Sequence, residues 1–246
     1  MGNKMYTRTW IMVILFFIPF LLISQNNMSK NSDLSPVEQS IVAIAAFTAK
    51  GDLPPLKLKL NSGLDEGLTI NQIKEVLVHL YAYCGFPRSI MGLQTLMEVV
   101  SERKARGIRD VTGAEASPII DERSKYERGR EILGKLSGAP QNGPATGYST
   151  FAPVIDTFLK EHLFADIFER DVLTYSQREL ATISVLSTLG GVKPMLRGHL
   201  SICLNVGYSP EQLNQFCTII QFIVGEEKIK EVREVLKEIL KTRERN

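Results

Sequence analysis

The sequence predicts an all-α protein made of two tandem helical-hairpin repeats joined by a partly helical linker. Three observations predict it. Helix-start boxes of the form Ser/Thr-x-x-Glu/Gln recur in matched pairs. Apolar residues follow the spacing of one helix face, and no stretch shows the alternation of a half-buried strand. Two stretches far apart in the chain also carry the same succession of starts, breaks and apolar runs, as an internal repeat does.

The elements follow in order. Ser35-Pro-Val-Glu38 is a capping box with Pro at the first helical position, and Thr69-Ile-Asn-Gln72 is a second box. Thr174-Tyr-Ser-Gln177 and Ser209-Pro-Glu-Gln212 are the third and fourth. The first two begin 34 residues apart and the last two 35 apart. Each first box opens an apolar run, IVAIAAFTA or LATISVLSTL, closed by a glycine break at Gly51 or Gly190-Gly191. A second helix ends near Gly67 or Gly207, so LNSGLDEGLTINQI aligns with LSICLNVGYSPEQL. The third helices are read at 70–83 and 210–224, with Gly85 and Gly225 at their C-terminal caps. The fourth run from about Pro87 to Arg106 and from about Glu226 to Arg245. The repeats therefore occupy 30–106 and 173–246, and 107–172 connects them. Within the connection, SKYERGREILGKL and FAPVIDTFLKEHLFADIF read as helices, and GIRDVTGAEASP and SGAPQNGPATGYS as loops.

The N-terminus has a different character. Lys4 and Arg8 precede the apolar run Trp10–Ile23, which is shorter than the ~18–20 residues of a spanning helix. A basic start, a short apolar stretch and then SQNNMSKNS read as a secretory signal over 1–24, with export to the periplasm and no stable membrane association after cleavage. Removing it takes the formal charge from +2 to about zero. A near-neutral domain carries no electrostatic footprint for nucleic acid. Hydrophobic residues at 44% and charged residues at 23% suit an ordinary globular protein. Cys84, Cys203 and Cys217 form no C-x-x-C pair, and the latter two fall on apolar helical stretches as small buried hydrophobes do.

The stretch LTINQIKEVLVHLYAYCGFPRSIMGL resembles the signature of carboxymuconolactone decarboxylase-like proteins, with its Tyr-x-Gly-x-Pro break. YERGREIL, the segment from Phe158 to Leu186 and HLSICLNVGYSPEQL resemble the second half of such a unit. The superfamily also holds the alkylhydroperoxidase D-like enzymes, and the resemblance implies that helical fold for each repeat. It further implies a small-molecule substrate, no metal or organic cofactor, and a homo-oligomer, here a trimer of tandem chains. The peroxidase branch uses C-x-x-C followed by a histidine. His199, eight residues before Gly207, takes the histidine position, but Val192 and Met195 stand where the thiols would be. In the first copy these positions hold Lys59, Asp52 and Pro55. A two-cysteine cycle is therefore not expected at either position.

The decarboxylase branch needs a general acid and groups that hold an anionic lactone. His199 suits the proton role, with a side-chain type whose ordinary pKa is ~6.5. Glu179 belongs to an Arg-Glu pair that the family often has, and is expected to orient His199 or carry a proton. Glu75, His79 and Tyr83 lie four apart on one helix and form a polar stripe: Glu75 as a further proton carrier, His79 and Tyr83 as substrate contacts. Cys84, Arg88 after the proline, and Arg197 beside His199 complete the substrate-binding candidates. Copy one keeps the Tyr-x-Gly-x-Pro break and lacks the histidine; copy two has the reverse. The copies are then halves of one composite site, or both sites are degenerate and the protein binds or assembles. A third reading makes Cys84 a one-cysteine peroxidase; its place at a helix C-terminus opposes a thiolate.

Overall fold

The computed structural model describes residues 1–2 and 33–245; nearly all of the 1–24 signal reading lies outside them. The described chain is helical, with no strand among the described residues. The four boxes form as read. Ser35, Thr69, Thr174 and Ser209 each accept the backbone N–H three residues on, and the Glu or Gln at that position reaches back to the cap amide. They open α1 (Pro36–Lys50), α3 (Ile70–Ala105), α7 (Tyr175–Leu189) and α9 (Pro210–Val224). Between them stand α2 (Leu53–Asp65) and α8 (Lys193–Asn205), both with a proline in the first turn.

The first helix of each copy forms the centre. α1 is buried almost all round from Ser40 to Ala46, and α7 from Arg178 to Thr188. A helix that buries every face must be surrounded by others. α1 packs on α7, and each central helix also packs on the third helix of the opposite copy, α1 on α9 and α7 on α3. The two repeats thus exchange third helices and share one apolar core that draws on both, from Ile41 and Leu77 to Leu180 and Ile220.

The fourth helices form as read. In copy one α3 is two helices in succession, separated by a kink at Gly85, whose backbone is not helical (φ 79°, ψ 162°). In copy two, Gly225 takes nearly the same conformation (φ 85°, ψ 169°) and separates α9 from α10 (Glu226–Arg243). A positive φ with extended ψ is open almost only to glycine, so both copies turn the chain with the same residue.

The connection holds α4 (Lys125–Ser137), the short α5 (Tyr148–Phe151) and α6 (Pro153–Phe158), and a π-helix (Leu159–Phe168). α4 packs along the π-helix around Ile132, Leu136, Phe164 and Phe168, which form a second small core with Ile202. The extended stretch before α4 also caps α3: the carbonyls of Val111 and Thr112 accept the N–H groups of Ile70 and Asn71. Those first-turn amides have no partner within their own helix.

Candidate functional site

α7 and α8 of copy two meet α3 of copy one at a cluster of polar side chains inside the bundle. Glu179, in the second turn of α7, is fully buried. Its Oε2 lies 2.7 Å from Nδ1 of His199 on α8. The His199 side chain keeps 15% of its surface exposed, so the buried carboxylate stands behind a ring that still reaches the outside. With Nδ1 engaged, Nε2 is the nitrogen left for chemistry. The second carboxylate oxygen, Oε1 of Glu179, is buried without a partner among the described residues.

Tyr83 approaches from α3. Its ring stands edge-on to His199 at 6.1 Å between centroids, and its hydroxyl lies 3.2 Å from Thr182 Oγ1. Thr182 also contacts Nε2 of His79 at 2.8 Å and the Arg178 carbonyl at 2.9 Å. The threonine has one hydroxyl hydrogen, and a carbonyl can only accept. Giving that hydrogen to Arg178 leaves Nε2–H of His79 and the Tyr83 hydroxyl as donors. His79 is wholly buried, and burial first, then the positive fields of Arg178 and His199, hold its pKa well below 6.5. It is a neutral imidazole. Burial likewise pushes the Tyr83 phenol upward, with the Glu179 carboxylate adding to the effect, so it stays protonated.

Glu75 has a different setting from a free proton carrier. Both its oxygens are taken by guanidinium groups: Arg170 Nε at 2.9 and 3.1 Å, Arg170 Nη2 at 3.0 Å and Arg178 Nη2 at 2.7 Å. Arg178 is itself fully buried, and burial is the largest influence lowering its pKa, opposed by Glu75. A buried guanidinium needs this counter-charge, and removing one partner of such a pair is costly. The stripe is therefore an internal seam between copies: Glu75 is buried with His79, and Tyr83 is half-buried.

The remaining candidates fall apart from this cluster. Arg197, two residues before His199, points to the opposite side of α8 and pairs with Glu238 of α10. The Arg88 guanidinium covers Gly51 at the C-terminal cap of α1, so closely that a Cβ there would meet its Nη1 at 1.3 Å. That is a favourable place for a cation beside the negative end of a helix. Cys84 donates from Sγ to the Leu80 carbonyl at 3.3 Å. Burial pushes its thiol up to about 11, against a smaller opposing influence of Arg88. Sequence reading missed Thr182 and the reach of Arg170. Thr182 does lie one turn after Arg178-Glu179 on the same helix face, and that spacing was the available signal.

The fold and this site define an all-helical tandem protein whose polar centre is assembled from both repeats. A family model for the carboxymuconolactone decarboxylase family matches residues 20–96 and 153–238. The chain belongs to that family. The second match takes in α6 and the π-helix, and the first begins inside the stretch read as a signal. No curated protein matches the chain.

Proposed function

We propose that the protein is a cofactor-free enzyme that transfers a proton to a small lactone carboxylic acid or a related small molecule as CO2 is lost. The observation that carries this reading is the 2.7 Å contact between Nδ1 of His199 and the buried Oε2 of Glu179. When the carboxylate leaves as CO2, its bonding pair stays on the lactone as a dienolate. His199 Nε2–H gives its proton to the carbon of that dienolate. The carboxylate behind Nδ1 holds the ring in place and fixes its tautomer once the proton has left Nε2. The part-exposed ring then regains a proton from solvent. Tyr83 forms the wall beside His199 and remains a neutral donor. Glu75, through Arg178, is a positioning residue that holds α3 against α7.

A one-cysteine peroxidase is the weaker reading. A thiol pushed up to about 11 is almost wholly protonated near neutral pH, and the thiolate is the attacking species. Export to the periplasm and a trimer of tandem chains belong with the proposal as its setting.

The test is turnover of a panel of lactone carboxylic acids in deuterated water, followed by mass. Wild type is expected to release CO2 and place one deuterium in the product, and His199→Gln to lower kcat by about 10²–10⁴ with unchanged helical circular dichroism. Wild type that turns over no lactone acid, or activity that survives the His199 change, removes the reading.

A further inference from the structure

The repeat that supplies the His199 site has a counterpart in copy one, where α1 and α2 meet α9. Matching the capping boxes puts Ser40 at the position of Glu179, Lys59 at that of His199, Ala43 at that of Thr182, and Ile219 and Ile223 at those of His79 and Tyr83. All five line one groove of about 680 Å³, and Phe47 adds to its apolar wall. The equivalent positions carry larger polar side chains in copy two, whereas in copy one all but Lys59 are small or apolar. The volume lies within the range of small-molecule sites.

Its chemistry is specific. The histidine–carboxylate pair of the first site has no counterpart here, since Lys59 and Ser40 stand at those positions. Among the described residues Lys59 is the only cation lining the groove, and it has no ion-pair partner. Ser40 is buried and its hydroxyl has no partner among the described hydrogen bonds. Glu66, the one lining carboxylate among the described residues, stands two turns on at the C-terminal cap of α2, roughly 10 Å away at the helical rise. We propose that this groove is a second small-molecule site, and that it takes an elongated apolar monocarboxylate. The carboxylate meets Lys59, the apolar body lies on Phe47, Ile219 and Ile223, and Glu66 repels the reverse orientation. The geometry stands independently of the proton-transfer reading, since no residue is shared.

The test titrates the full chain with decanoate, decanol and decyltrimethylammonium by calorimetry, and maps the decanoate complex by amide chemical shifts. Decanoate is expected to bind most tightly, with shifts at Ala43, Lys59 and Ile219. Lys59→Ala should weaken it about tenfold by loss of a charge-assisted contact. Ser62→Trp, an exposed position on the groove lining, should block it. Circular dichroism checks that both variants fold. The proposal is overturned by absence of decanoate binding, by decanol binding as tightly with Lys59→Ala silent, or by shifts centred on Thr182 and His199. It is equally overturned if sedimentation shows a second copy covering the exposed Phe222 and decanoate fails to compete with it.

Discussion

His79 shows how much one buried side chain can impose. It is enclosed by the Tyr83 ring at 5.2 Å, the Phe168 ring at 5.2 Å and the Thr182 hydroxyl, with Arg178 and His199 supplying positive charge. Its folded pKa lies below the ordinary value, so below pH ~6.5 the unfolded chain takes up a proton that the folded chain refuses. Stability is then lost as pH falls through that window, by up to about 1.4 kcal/mol per pH unit from this group. Urea unfolding at pH 7.0, 6.0 and 5.0 checks this, at a pH still above the range where most carboxylates titrate. His79→Gln should be less stable at pH 7.0 but show a shallower decline; parallel declines would refute the assignment. The helical spacing of Glu75, His79 and Tyr83 was legible in the sequence. Their partners were not, because Arg170 and Arg178 lie 95 and 103 residues from Glu75 along the chain. No local pattern encodes such a pairing, so a stripe that is a seam between copies reads equally well as a solvent face.

Among the elements, the capping boxes were the most legible feature, because they are local chemistry: a hydroxyl and an amide or carboxylate three residues apart. The close approach of α4 to the π-helix was not. Gly129 reads as an unremarkable glycine inside a helix, which by propensity alone should be stabilised by alanine. In the fold it faces the π-helix backbone, where an added Cβ would sit 1.8 Å from the Lys160 carbonyl oxygen and 3.2 Å from the Ala165 nitrogen. Backbone cannot swing aside as a side chain can. Gly129→Ala is therefore expected to destabilise by about 1–3 kcal/mol, a fall of several degrees in Tm for a chain of this size. A rise in Tm on calorimetry would show that helix propensity governs the position. Gly134 is the control on the same helix, since its nearest neighbour, the Ala139 carbonyl oxygen, is 3.4 Å from an added Cβ. Gly134→Ala should change Tm much less.

At the scale of the molecule, the exchange of third helices makes the repeats interdependent. A repeat standing alone would expose the buried face of its central helix: α1 would lose α7 and α9, and α7 would lose α1 and α3. The complementary losses in the sequence, a histidine in one copy and the Tyr-x-Gly-x-Pro break in the other, have this packing as their physical counterpart. Tyr83 and His199 belong to different repeats and still meet ring to ring. The covalent connection is then dispensable once the chain has folded. A protease site placed between Asn142 and Gly143, in an exposed loop without regular structure, cuts between the repeats and leaves both cores intact. The two fragments should co-elute on size exclusion while separating on a denaturing gel. Their helical circular dichroism should stay that of the intact chain, because the contacts that hold α1 to α7 and α9 do not pass through the loop. After denaturation, refolding of the mixture should become concentration-dependent, and neither fragment alone should regain a cooperative transition. Fragments that separate in native buffer, or either one folding cooperatively alone, would mean that each repeat carries its own core and that the shared one contributes little.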